Sequence, residues 1–456
     1  HDELITYYLA ISPSISQMLR DIHRIDLNPP VLYLLNYATL RLPGVQANEQ
    51  LASLAARLPS LLAGLLASLG LFALVRSRLG SLYALAAVSL LWKTEFLRYA
   101  WEDRPYALLC GFLVLLIMVW EQAIRPNRRA LWIVAVFVVA LAMMGSHFFA
   151  TFLLLAFLAA ELARGWVKAE LDLPLLGAFV LPLGIPLAYR YILSVYGQVD
   201  FPAAFQVTLG KLGMSYIFLL DSCATILAPT LVLCLIATAK AKSETEPQPK
   251  LPHELSSVSL VSPRSFPEWI LLLGILAEPV LAGMAIARMH GAFFRRYGLP
   301  ACISMVVLLI IFLFWRFNGL KRVALIVVLA SCVDPMLQFA RHPMTYLTLR
   351  DTPSVTSYQA IKSDLPFVDA SALTFVEMNH RESSQMLRRT YYLTDRSRAL
   401  QYSHATLWEG EAEVVRILHL QGQVEDWQEF KLAHPHFLVL GTYDHPEEWL
   451  LRALVA

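Results

Sequence analysis

The ionisable side chains at the edges of the apolar runs that could do chemistry gather in four places. The first is Asp2 and Glu3, with Asp21, His23, Arg24 and Asp26 later in the same segment. The second is Lys93, Glu95, Arg98, Glu102, Asp103 and Arg104, around WEDRPYALL. His147 opens an apolar run in GSHFF, and Arg288, His290, Arg295 and Arg296 lie in ARMHGAFFRRYGLP. A basic cluster needs an anion, and guanidinium groups suit a phosphate or a carboxylate because they donate in a two-pronged fork. Two readings fit. The arginines meet an external anion such as a lipid phosphate, or Glu102 or Asp103 neutralises one of them in a structural ion pair. Taken alone, His147 reads as a helix-end histidine with a satisfied hydrogen bond, and Asp2 and Glu3 as a solvated loop.

These groups are set between runs that belong in a bilayer. Of 456 residues 57% are hydrophobic and 16% charged, against about 25% charged in an ordinary soluble domain. Apolar runs near 55–75, 80–96, 105–123, 131–145, 147–163, 174–194, 213–238, 267–288, 298–316 and 322–335 match the hydrocarbon thickness. The chain reads as an α-helical polytopic membrane protein. Residues 31–42 are too short to span and read as an interfacial helix. Arginines and lysines in RSR, RPNRR, ARGWVK, the 240–265 loop and WRFNGLKR alternate so as to share the cytoplasmic side. The WEDR loop, the N-terminal segment and everything past 336 then share the other side, where Arg295 and Arg296 oppose the positive-inside trend. The Pro- and Ser-rich 240–265 loop reads as a linker.

The expected division is a first extracytoplasmic loop with interfacial helices over 1–50, a membrane domain of about ten spans over 51–335, and a small extracytoplasmic α/β domain over 336–456. In that last domain ALTFVEM and HFLVLGT read as strands, and SQMLRRTYYL and PEEWLLRALVA as helices. A net charge of +2 points away from nucleic acid. The five cysteines lie in apolar runs and read as buried thiols, with no disulfide framework. No metal-ligand spacing is present, so no cofactor is expected, although a divalent metal remains open. The chain starts at His1, and a preceding span is expected to be missing. Asp221, Glu278 and Pro279 are the mid-span candidates that a transporter would use, but no paired halves accompany them.

The order of short motifs carries a resemblance. It runs from DE (Asp2, Glu3) through PP-x-x-Y-L-L (Pro29, Pro30, Tyr33), RLPSLLAG (Arg57, Pro59) and E-x-RPYALL (Glu102, Arg104, Tyr106). A histidine opening a span (His147) and RYxLP (Arg296, Tyr297) complete it. This series resembles the GT-C superfamily of membrane glycosyltransferases, and within it the protein O-mannosyltransferase and aminoarabinose-transferase branch, including bacterial transferases of lipopolysaccharide sugars. Asn28 stands where that family often has histidine. The resemblance implies a lipid-linked sugar donor, with polyprenyl or dolichyl phosphate as carrier, and a hydroxyl acceptor on a glycan, lipid or protein. It places the reaction at the extracytoplasmic face of a bacterial plasma membrane, among membrane lipids. It makes Asp2 the base, with Glu3 positioning the acceptor or an arginine. Arg104, Arg296 and Arg295 become donor-phosphate ligands. Glu102, Asp103, Tyr106, His147 and Tyr297 bind sugar or acceptor, or orient the others, with Glu102 orienting Arg104 or binding sugar hydroxyls. Arg57 reads as structural. Direct displacement implies inversion at the sugar carbon. A catalytically idle relative that binds lipid-linked sugar, or serves in an assembly, is the main alternative.

Overall fold

The computed structural model describes residues 2–26, 28–189, 199–220, 266–341, 364–443 and 445–456, with the helical positions 223, 226, 228, 232 and 236. Of Asp2 and of 334–341 only the backbone is described. The 240–265 linker, Asp221 and Cys234 lie outside these residues.

Three short helices come first: α1 (Asp2–Ala10), α2 (Ile15–Ile25) and α3 (Val31–Leu40). Ser14 caps α2 by accepting from Gln17 N–H. At ten residues α3 is about 15 Å long, half of what a span needs, in keeping with the interfacial reading. Next comes α4 (Glu49–Leu79), capped by Asn48 and ended at Gly80, whose φ of +89° suits glycine. It has 31 residues, or roughly 46 Å of helix, and so outreaches the expected 55–75 run at both ends. The expected 80–96 span resolves into α5 (Ser81–Leu91), a turn, and α6 (Phe96–Trp101). Then follow α7 (Pro105–Ala123), α8 (Arg129–Met144) and α9 (Ala150–Lys168), and later helices over Leu209–Leu220, Phe266–Arg288, Ala301–Arg316 and Lys321–Arg341. Among the described residues four helices are long and apolar enough to cross a membrane: α4, α7, α9 and Phe266–Arg288.

Small residues let these helices approach closely, as expected where lipid supplies no hydrophobic drive between them. A Cβ added to Gly111 of α7 would lie 2.8 Å from the Ala63 carbonyl oxygen of α4. One added to Gly274 would meet Ala156 Cβ of α9 at 2.5 Å. At the end of the bundle away from the WEDR loop the loop arginines have acidic partners. Arg78 bonds Glu121 at 2.5 Å and Glu268 at 3.2 Å. Buried Glu161 accepts from Trp120 Nε1 at 3.0 Å and pairs with Arg164, while Asp172 pairs with Arg164 and Arg129. Cys110, Cys223 and Cys302 are buried as expected, but Cys332 is exposed on the bundle's outer surface.

The C-terminal region carries a parallel sheet in the order β3-β2-β1-β4, with β1 Phe367–Asp369, β2 Thr390–Thr394, β3 Gln423–Asp426 and β4 Leu438–Leu440. Parallel neighbours need crossover connections, and helices supply them. The strand expected at ALTFVEM is instead the helix Ala372–Arg381, whose Phe375 and Val376 are buried against the sheet side of the domain. SQMLRRTYYL splits into a one-turn helix, Ser384–Leu387, and β2. The strand within HFLVLGT and the helix within PEEWLLRALVA are present. Short β-branched and aromatic runs do not by themselves tell a buried helix face from a strand, and here tertiary packing decided. The chain is therefore a mostly helical membrane protein with a small α/β region at its C-terminal end.

This region docks on the first three helices. Ile417 and Leu418 pack with Leu9, Met18, Ile22 and Tyr33, and Tyr8 Oη meets His380 Nδ1 at 3.1 Å. The N-terminal helices and the α/β region thus share one side of the bundle.

Candidate active site

The WEDR segment is where several elements meet. After α6 the chain turns through Glu102 and Asp103, and Arg104 caps α7 in extended conformation, with Pro105 at its first position. Proline is well placed there, since the N–H it lacks has no helical partner. Both backbone groups of the turn are held from outside. Asp103 N–H donates to Glu3 Oε1 at 2.6 Å, and Ser60 Oγ of α4 donates to the Arg104 carbonyl at 3.1 Å.

Glu3 is the hub. Its carboxylate also receives Arg57, Nε to Oε1 at 3.3 Å and Nη2 to Oε2 at 3.0 Å. The arginine that Glu3 meets is Arg57. Asp2 begins α1 one residue earlier, which sets its backbone at the same end of the helix. Behind this layer, Asp26 accepts from Tyr33 Oη at 2.5 Å and from Asn28 Nδ2 at 2.9 Å. Asn36 of α3 donates to Asp103 Oδ1 at 2.6 Å.

Arg104, Arg296, Tyr106, Tyr297 and His147 form a second cluster. Arg296 sits on the short turn Arg295–Gly298, with its guanidinium carbon 4.5 Å from the Phe294 ring centre and 5.9 Å from that of Tyr106. Tyr106 lies 5.4 Å from His147 and 6.3 Å from Tyr297, and His147 lies 6.0 Å from Tyr297, centre to centre. Arg104 is buried and within electrostatic reach of Arg296; burial, joined by that like charge, draws its guanidinium down to about 10. Two cations held close together in a low-dielectric setting favour an anion between them. The Arg295 guanidinium stacks on Phe218 at 4.6 Å. Glu102 pairs with Arg98 at 3.1 Å.

His147 accepts from Phe149 N–H through Nδ1 at 3.1 Å, which puts the proton of the neutral ring on Nε2. Burial, reinforced by Arg296 and Arg104, holds it down at about 3 against an ordinary 6.5. It is therefore an uncharged donor at neutral pH. The sign of the linkage is definite: the unfolded chain gains a proton near 6.5 that the folded chain refuses until about 3. The contribution of His147 to stability is then lost as pH falls from 6.5 towards 3. Replacing His147 by Gln should flatten that part of the melting-temperature profile, measured on the purified protein. An unchanged acid slope would mean that His147 is protonated in the folded protein.

Asn36 and Ser60 are site residues that the sequence did not single out, while Arg57, expected to be structural, pairs with Glu3. Arg57 had a signal, since an arginine just inside an apolar helix calls for a partner. Asn36 and Ser60 had none, because their partners are 67 and 44 residues away. Among the described residues no group of three or more His, Cys, Asp or Glu is set to hold a metal. Glu278 is fully buried on Phe266–Arg288, and neither of its carboxylate oxygens has a hydrogen-bond partner among the described residues.

Residues 28–189 match the family described as dolichyl-phosphate-mannose-protein mannosyltransferase. The matched span holds Arg57, Glu102, Arg104, Tyr106 and His147, while Glu3, Arg295, Arg296 and Tyr297 lie outside it. No curated protein and no solved structure matches the chain. The family match and the apolar helices support a membrane glycosyltransferase of GT-C type.

Proposed function

We propose that this chain transfers a sugar from a polyprenyl- or dolichyl-phosphate donor to a hydroxyl acceptor at the extracytoplasmic face of a bacterial plasma membrane, with inversion. The observation that carries the reading is the meeting of Arg104 and Arg296. They come from motifs almost 200 residues apart, yet their charges interact beside Tyr106, Tyr297 and His147. They sit at the bundle end that also carries Glu3 and the docked α/β region. A sugar phosphate leaving group needs its growing negative charge stabilised, and preorganised donors do this best. Arg104 and Arg296 take the phosphate, the neutral His147 and the two tyrosines offer hydroxyl or N–H contacts to the sugar, and Asp2 accepts the acceptor proton. Glu3, bound by Arg57 and by the Asp103 N–H, keeps the start of α1 against the site. Arg295, stacked on Phe218, takes a supporting place at the rim. Within the superfamily, the branch resembled is the protein O-mannosyltransferase and aminoarabinose-transferase one.

The functional test compares the cell envelope with and without the gene by mass spectrometry. One sugar should be missing from a glycan, lipid or protein when the gene is deleted. An unchanged envelope, with no transfer from lipid-phosphate sugars by the purified protein, would favour the idle relative.

Topology is tested separately. Cysteines placed at Asn48 and Ser384 should react with an impermeant thiol reagent in cells whose outer barrier has been opened, while one at Ser243 should not. The reverse pattern would put the site on the cytoplasmic face.

A further inference from the structure

Asn36 and Asp103 form a buried pair in which each group has an atom left over. Asn36 is 0% exposed and Asp103 2%. One hydrogen bond joins them, Asn36 Nδ2 to Asp103 Oδ1 at 2.6 Å. The second oxygens, Asn36 Oδ1 and Asp103 Oδ2, are both buried and have no hydrogen-bond partner among the described residues. An ionised carboxylate and an amide oxygen can only accept. Two acceptors buried on the same pair of planar groups, with no donor, are costly to desolvate. A single proton on Asp103 Oδ2 removes both deficits, because it can donate to Asn36 Oδ1 and close a two-bond ring.

We propose that Asp103 works as a neutral carboxylic acid locked to the Asn36 amide, and that this pair is a positioning device fixing the Asp103 N–H that holds Glu3. It is therefore not a general base. For its effect on turnover the inference rests on the reading of this site as a glycosyl-transfer centre; for the proton itself it does not.

The surroundings favour the neutral form. Glu3 approaches from α1 and already carries the negative charge that Arg57 of α4 balances. A second charge on Asp103 would repel it. From α3, Tyr33 presents a hydroxyl already committed to Asp26. Along the chain, Glu102 is paired with Arg98, and Arg104 turns to the tyrosine cluster. Independently, burial pushes the Asp103 carboxyl up from 3.8 to about 7, with Glu3 adding to the rise and Asn36 and Arg57 opposing it. Between those two values the folded chain holds a proton that the unfolded chain has lost. Stability therefore falls as pH climbs from 3.8 to about 7.

The test uses Asp103→Asn, which mimics the protonated acid: its NH2 can donate to Asn36 Oδ1 and its carbonyl can accept from Asn36 Nδ2. Infrared difference spectra of the full-length protein, taken midway between 3.8 and about 7, should show that this variant loses a carboxylic-acid carbonyl band. Its melting temperature should lack the decline across the same window. Its turnover should stay above that of Asp103→Leu and Asn36→Leu, which should lower kcat on the order of tenfold, the scale of one buried hydrogen bond, with the donor KM little changed. Asn36→Asp combined with Asp103→Asn, which rebuilds the acid–amide pair in reverse, should turn over faster than either leucine variant. Loss of carboxylate bands in Asp103→Asn, or turnover as low as in Asp103→Leu, would overturn the proposal. Should the wild-type chain transfer no sugar, the infrared and melting results still decide the proton, and the failure belongs to the proposed function.

Discussion

Asp2→Asn should lower turnover by about 10²- to 10⁴-fold, the usual contribution of general-base catalysis, while donor affinity survives. The amide keeps the size of the carboxylate and loses its basicity. The expectation rests on the place of Asp2 at the start of α1, next to the residue that bonds the WEDR loop. Glu3→Gln should cost less in the chemical step. It weakens the bonds from Arg57 and from Asp103 N–H, so its loss should show partly as lower stability. Arg57→Ala should reproduce that stability loss, since the same ion pair is broken from the other side. The measurement is single-turnover transfer from a lipid-phosphate sugar, with donor binding determined separately. Near wild-type turnover in Asp2→Asn would move the base elsewhere, with Glu102 the next residue to replace.

Arg296→Ala and Arg104→Ala should each weaken donor binding by about 1.5–3 kcal/mol, the range for a hydrogen bond to a charged group, or roughly ten- to a hundredfold in Kd. Lysine should rescue only part of the loss at either position, because an ammonium keeps the charge but not the planar fork. The double alanine variant is expected to lose less than the two single losses combined. The arginines interact with each other, and residues sharing one network are not additive. Arg295→Ala should have the smallest effect of the three, since its guanidinium lies on Phe218. Binding is best followed with detergent-solubilised protein and a fluorescent polyprenyl phosphate. Unchanged affinity in both single variants would leave the arginines with a structural role.

A membrane architecture was legible in the sequence because the hydrophobic effect acts on long contiguous runs, and the lengths of α7, α9 and Phe266–Arg288 follow from local composition. The residues gathered at the site were also legible as types and as motif order: charged side chains amid apolar runs are costly enough to mark themselves. Partnership was not legible. Whether Glu102 holds Arg104 or Arg98, whether Arg295 or Arg296 faces Tyr106, and that Glu3 finds Arg57, depend on how helices cross and rotate. Those angles are set by small-residue contacts such as Gly111 against Ala63, which no single segment encodes. In the α/β region Ala372–Arg381 has Thr374, Phe375 and Val376 in a row and is helix, while Thr390–Thr394 follows a helix-like stretch and is strand; both runs are too brief for periodicity to separate them. There only the sheet, by pairing β2 with β1 and β3, determined which run is helix and which is strand.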